Sequence, residues 1–226
     1  MSSSDPLAAI WAHAVNSMAA LNAAMSSETT FIECDLGLVV NNELFCAHYP
    51  TELTSDLPFI SLFSTWLRVQ RPLGLKIDLK RPELIPFLLA SLSASSRPRP
   101  GPLWLNADVF GSKRKMEIKD LENFIPHVDG FSLGLLGPDA FENISEHIQK
   151  VHEFAAGHNF HVTFAMNAHQ ATSHVPEIHR LLSSILGSSV TLWTTKGESI
   201  DSQKFSDLVQ SLPVNRVYAD VTLTVA

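Results

Sequence analysis

The sequence predicts an α/β protein of the (β/α)8 barrel class, and three observations carry that expectation. Eight short apolar segments recur along the 226 residues, each followed by a polar turn. The segments between them repeat apolar residues at three- and four-residue spacing, as at Ile144, Ile148, Val151 and Phe154, which is the signature of an amphipathic helix. Strict alternation of the two implies parallel strands joined by right-handed crossovers. Eight such strands favour a barrel over an open doubly wound sheet, and no Gly-x-Gly-x-x-Gly turn follows the first strand. The length suits one compact domain over residues 1–226 with short loops.

In order, the chain reads as strand Ala9–His13, helix Ser17–Met25 and strand Phe31–Leu38. Val39–Ala47 then holds Asn41-Asn42, a turn signal between two apolar runs, and predicts a small hairpin. Helix Ile60–Val69, strand Gly74–Leu79 and helix Glu83–Leu92 follow, and Ser93–Pro102, rich in Ser, Pro and Arg, predicts a surface loop. The remaining strands are Leu103–Val109, Gly130–Leu133, His161–Met166, Val190–Thr194 and Arg216–Asp220. Helices Ile118–Phe124, Asp139–Ala156, Val175–Leu186 and Ser202–Leu212 separate them.

Composition narrows the function. Hydrophobic residues make up 45% and charged residues 17%, which suits a buried core rather than a disordered chain. A formal net charge of −7 argues against a nucleic-acid or anionic-membrane binder. It leaves room for an anionic small substrate where a bound cation inverts the local field. Two cysteines, Cys34 and Cys46, make no disulfide framework, and Cys34 inside a strand reads as a small core residue. Met1 to Asp5 is polar without a basic stretch, and no apolar run reaches the length of a membrane span, so the expectation is a soluble, cytoplasmic protein.

Barrel chemistry sits at the carboxyl ends of the strands, and polar residues gather there. His13 ends the first strand; Glu33 and Asp35 lie in the second; Asp78, with Lys76 and Lys80 beside it, lies in the third. Asn106 and Asp108 end the fourth, Ser132 lies in the fifth, Asn167 follows the sixth, Thr194 ends the seventh and Asp220 the eighth. Strand side chains alternate faces, so Glu33 and Asp35 share one face while Ile32 and Cys34 share the other. The same alternation separates Lys76, Asp78 and Lys80 from Ile77 and Leu79, and Trp104, Asn106 and Asp108 from Leu105 and Ala107. Isolated charges are costly to bury, so charged residues side by side on one face predict a site. The bland alternative is an ion-pair network that only stabilises the barrel.

Glu33, Asp35 and Asp78, without cysteine ligands, describe a site for a hard divalent cation such as Mg²⁺, Ca²⁺ or Mn²⁺. His13 and His48 flank them and suit general acid and base roles near neutral pH. Lys76, Lys80 or Asn16 are candidates to hold a phosphate. This set fits metal-assisted phosphoryl transfer. Two other functions use the same residues: a lysine Schiff-base aldolase through Lys76 or Lys80, and a catalytically silent barrel that binds a ligand or protein partner. His147, His152, His158, His161, His174 and His179 read as surface residues, and His169 as a residue near the site mouth.

Six motifs occur in order: Trp11-Ala-His13-Ala-Val-Asn16-Ser17, Glu33-Cys-Asp35, Ala47-His48-Tyr-Pro50, Lys76-Ile-Asp78-Leu-Lys80, Trp104-Leu-Asn106-Ala-Asp108 and Phe131-Ser132-Leu-Gly134. Together they resemble the menorin family, from about His13 to Asp220. That family in turn resembles the phospholipase C-like phosphodiesterases, which include the glycerophosphodiester phosphodiesterases. The resemblance implies a barrel, metal ligation by Glu33, Asp35 and Asp78, and acid-base roles for His13 and His48. It also implies substrate contacts from Asn16, Lys76, Lys80, Asn106, Asp108, Ser132 and Trp193, the last through Trp193-Thr194, which is similar to a late Trp-Thr motif. The expected substrate is a small or lipid-derived phosphodiester. One departure stands out: those phosphodiesterases follow the first His with Arg-Gly, and here the residues are Ala14-Val15.

Overall fold

The computed structural model describes residues 6–95, 97–195, 197–213 and 215–224, so the Met1–Asp5 segment lies outside the described residues. The chain divides into two compact units. Of the described residues, those within 10–107 and 115–131 form one, and those within 1–9, 108–114 and 132–226 form the other.

The first unit begins with β1 (Trp11–Ala12), α1 (Met18–Met25) and β2 (Phe31–Val40). Ser17 caps α1 by accepting the amide of Ala20, which satisfies one of the helix's unpaired donors. β3 (Glu43–Cys46) folds back antiparallel on β2 as the expected hairpin. Its turn uses Asn41 and Asn42 at φ 51° and 64°, the left-handed pair that matches strand twist. α2 (Phe59–Trp66), β4 (Gly74–Leu79), α3 (Ile85–Ser93) and the start of β5 (Leu103–Phe110) follow. β2 lies between β1 and β4, and β4 pairs with β5, all parallel.

The register decides where the polar residues meet. Glu33 lies opposite Lys76, Asp35 opposite Asp78, and Asp78 opposite Asn106. Their neighbours Ile32, Cys34, Leu36, Ile77, Leu105 and Ala107 are wholly buried, as are Leu62, Trp66 and Leu88 of α2 and α3. Burying each large side chain of this kind contributes about 1.5–3 kcal/mol, and that apolar face fixes the register that aligns the polar one.

The second unit carries β6 (Gly130–Leu135) from Ser132 on, α4 (Ile144–Ala155), β7 (His161–Asn167), α5 (Ala168–Ser173), α6 (Val175–Ser184) and β8 (Ser189–Trp193). β9 (Ile200–Asp201), α7 (Ser202–Ser211), β10 (Val217–Asp220) and β11 (Leu223–Thr224) complete it. β8 pairs in parallel with β7 and β10. The short helix α5 is absent from the sequence expectation; Asn167 caps it by accepting the amide of His169. His147 is a correction. It is buried and stacks on Phe110 at 4.3 Å, because position 147 falls on the same helical stripe as Ile144, Val151 and Phe154. His161 is also part-buried, with Nε2 2.8 Å from Ser189 Oγ. Among the described residues, eight parallel strands with intervening helices make this the (β/α)8 barrel class that the sequence predicts. Among the described residues no helix is long and apolar enough to cross a membrane.

Candidate metal and phosphoryl-transfer site

The first unit gathers Glu33, Asp35 and Asp78 so that one carboxylate oxygen from each lies within 4.8 Å of the others. All three residues are buried. Adjacent parallel strands place them there: Asp35 and Asp78 are register partners, and Glu33 stands two residues earlier on the same face of β2.

Two buried lysines offset this charge. Lys80 Nζ donates to Asp35 Oδ1 at 2.7 Å and to Asp78 Oδ2 at 2.5 Å. Lys76 Nζ lies 3.5 Å from Glu33 Oε2 and 5.6 Å from the Trp11 ring centroid. Burial alone would raise the Glu33 carboxyl, but Lys76, the His13 hydrogen bond and Lys80 together hold it well below the usual carboxylate range. Burial acts the same way on Asp78, where Lys80 outweighs it and keeps the group ionised. Burial would lower the Lys80 ammonium, and the Asp78 and Asp35 carboxylates instead raise it far above its ordinary value. A permanently protonated Lys80 is a poor Schiff-base nucleophile, which argues against the aldolase function for this residue.

His13 Nδ1 donates to Glu33 Oε2 at 3.1 Å, and its side chain is 50% exposed. Asn16 holds Asp35 at two points: its Oδ1 accepts the Asp35 amide at 3.0 Å, and its Nδ2 donates to Asp35 Oδ2 at 2.7 Å. The same Nδ2 donates to Glu52 Oε2 at 3.3 Å, and that oxygen also accepts the His48 amide at 2.7 Å. A continuous set of hydrogen bonds therefore runs from Asp35 through Asn16 and Glu52 to the His48 loop. The Thr51 hydroxyl donates to the His48 carbonyl, so His48 Nδ1 donates to Thr51 Oγ1 at 3.0 Å and the neutral ring keeps its lone pair on Nε2. Ala14 adopts φ 51° between His13 and Asn16, a conformation costly for a residue with a Cβ.

The donor set fits a hard cation. Three buried carboxylates supply the charge, and a neutral oxygen stands beside them: Asn106 Nδ2 donates to Asp78 Oδ1 at 2.8 Å, while the buried Asn106 Oδ1 has no partner in the structure. An acceptor buried without a donor is unfavourable, and a cation would satisfy it.

The structure thus unites His13, Asn16, Glu33, Asp35, Lys76, Asp78, Lys80 and Asn106, and ties His48 to them through Glu52. Asp108, Ser132 and Trp193 belong to the second unit, on β5, β6 and β8 respectively. Ser132 is wholly buried there, and Trp193 is the register partner of both Asn167 and Asp220. His169 is exposed, with Nε2 3.1 Å from the Ser199 carbonyl. Glu52 escaped the sequence analysis; its one signal was its place four residues after His48 in a polar loop.

Residues 5–226 match the model of the menorin N-terminal domain. The chain belongs to the menorin family. Solved structures extend the likeness at the level of fold. A protein of Silicibacter pomeroyi DSS-3 assigned as a glycerophosphoryl diester phosphodiesterase matches with a TM-score of 0.60 at 10% identity, over 94% of this chain and 90% of that one. A glycerophosphodiester phosphodiesterase of Agrobacterium tumefaciens C58 matches with a TM-score of 0.50 at 13% identity, over 94% and 95% of the two chains. This menorin family member therefore shares a phosphodiesterase-like fold, as its ordered motifs predict.

Proposed function

We propose that this menorin family member is a metal-dependent phosphodiesterase acting on a small or lipid-derived phosphodiester, by hydrolysis or by cyclising transfer. The observation that carries the proposal is the buried Glu33, Asp35 and Asp78 trio, held within 4.8 Å and served by His13. Glu33, Asp35 and Asp78 would hold a divalent cation, Mg²⁺, Ca²⁺ or Mn²⁺, with Asn106 Oδ1 beside them. Such a cation, when bound, supplies Lewis-acid stabilisation of charge on phosphoryl oxygens.

The protein's own groups supply the rest. Glu33 fixes the His13 ring through Nδ1, and Thr51 and Glu52 fix His48, whose Nε2 lone pair can take a proton. One imidazole removes the proton from the attacking oxygen, water or a hydroxyl of the substrate itself. The other returns a proton to the departing oxygen as the P–O bond breaks. Lys76 and Lys80 limit the repulsion between the carboxylates and an anionic substrate. The other predicted contacts, Asp108, Ser132 and Trp193, are assigned to substrate by resemblance.

A panel of aryl and glycerol phosphodiesters, assayed with each cation, tests the proposal. His13→Ala and His48→Ala should each lower turnover by about 10²–10⁴-fold with the fold intact. Full activity in both variants on a turned-over substrate would refute it. A second function, a silent ligand-binding barrel, is favoured by Ala14-Val15 after His13 and by the pairing of Lys80 with two carboxylates. Cation binding without turnover of any diester would select it.

A further inference from the structure

An anionic ligand needs a positive partner, and the three candidates from the sequence are already engaged. Lys76 meets Glu33, Lys80 meets Asp35 and Asp78, and Asn16 meets Asp35 and Glu52. The charge of both lysines and the donor of Asn16 are spent on these carboxylates. Arg81 is differently placed.

Glu33 and Asp35 share one face of β2, and Gly37 follows at a bulge, where the register with β3 shifts between Leu36 and Leu38. A side chain at Gly37 would collide with the Ala47–Tyr49 segment: a Cβ there would meet the Ala47 carbonyl oxygen first, and would lie 2.7 Å from Tyr49 Cβ and 2.9 Å from the Tyr49 amide nitrogen. Tyr49 therefore packs against Gly37, two residues beyond Asp35 on β2, and is next in sequence to His48. The Ala47 amide donates to the Asp35 carbonyl at 2.8 Å, which brings the His48-Tyr49 segment to this level. From the neighbouring strand, the Lys80 amide donates to the Leu36 carbonyl at 3.1 Å and extends the β2–β4 ladder to the same height. Arg81 follows, and its guanidinium carbon lies 4.6 Å from the Tyr49 ring centroid.

This stack pre-orients the guanidinium without neutralising it. The acidic partner is Glu83, which meets Nε alone at 3.4 Å and is 67% exposed, a pairing of little strength in water. The Arg81 side chain is itself 36% exposed, open to a ligand arriving from solvent. A planar guanidinium suits bidentate bonding to phosphoryl oxygens better than an ammonium does.

We propose that Arg81, held on Tyr49 over Gly37, binds a phosphoryl oxygen of the ligand at this site. The proposal rests on the phosphodiesterase function above for the class of ligand. It is tested by titrating inorganic phosphate into the full chain by calorimetry, with and without Mn²⁺. R81Q should weaken phosphate binding by about tenfold or more, as expected for loss of a charge-assisted pair. Y49L, which keeps the charge but removes its platform, should weaken it by about three- to tenfold. R68Q, with the same change of charge on an exposed arginine after α2, should bind phosphate within about twofold of the parent. R81K should recover part of what R81Q loses, and thermal melts verify that each variant is folded. Phosphate binding by R81Q equal to that of R68Q overturns the proposal. So does the absence of phosphate binding by the parent chain up to about 10 mM under both conditions. Mn²⁺ titrated alone reads the carboxylate trio separately: its failure to bind would count against the metal site, while the metal-free phosphate series still judges Arg81.

Discussion

Removing Lys80 separates the ion pairing of the carboxylate trio from its proposed cation binding. Lys80→Met keeps the aliphatic volume of the buried side chain but deletes the ammonium that meets Asp35 at 2.7 Å and Asp78 at 2.5 Å. Both carboxylates are buried, at 2% and 7% exposure, so they cannot recover their lost partner from bulk water. Breaking a buried pair in this way costs about 3–5 kcal/mol, and here one cation serves two anions, which places the expectation at the upper part of that range. A divalent cation on the same carboxylates would offset the loss. Saturation at about one hundred times Kd contributes about 2.7 kcal/mol to the folded state. The assay is urea unfolding of the parent and K80M in EDTA and in excess Mg²⁺ or Mn²⁺. K80M should lose several kcal/mol in EDTA and regain more of it with metal than the parent gains. Equal stability of K80M and the parent in EDTA would refute the ion-pair account of this cluster.

Three further outcomes follow from named contacts. Asn16→Ala strands the buried Asp35 amide and should cost about 2–3 kcal/mol. Asn16→Asp should cost more at neutral pH, because a carboxylate then faces Asp35 Oδ2 at the site of the 2.7 Å bond, and the gap should narrow in acid as the new group protonates; paired denaturation curves at two pH values check both. For His161, burial first and the nearby Arg216 second lower the group from 6.5 to about 4. The folded state therefore favours the neutral ring, its contribution is complete above pH 6.5, and stability falls as pH drops from there toward 4, by about 3 kcal/mol in all. His161→Gln, which can still bond Ser189, should flatten that part of the stability–pH curve.

Period-two alternation made the polar cluster legible in the sequence. Glu33, Asp35, Lys76, Asp78 and Asn106 share one polar face because their neighbours are apolar, and burial of those neighbours leaves no other register. Strand limits such as Gly74–Leu79 were equally plain, since turn residues and apolar runs mark them. Partnerships were not legible. Lys80 and Asn16 resembled ligand-binding groups in sequence, yet both bond the carboxylates, because pairing between strands and a loop is a tertiary event. Glu52 and Tyr49 lie in an irregular segment without periodicity, so nothing local announced that one holds His48 and the other covers Gly37. His147 looked like a surface histidine because it falls on a helix, but its place on the stripe of Ile144, Val151 and Phe154 turns it inward.

The central claim is that Glu33, Asp35 and Asp78 form one cation site, and calorimetric titration of Mn²⁺ into the parent chain and into Glu33→Gln, Asp35→Asn and Asp78→Asn tests it most directly. The account predicts a single equivalent bound by the parent, with affinity lowered about tenfold or more in each variant, since every one removes a charged ligand. Absence of binding by the parent, or binding left unchanged by all three substitutions, would contradict it.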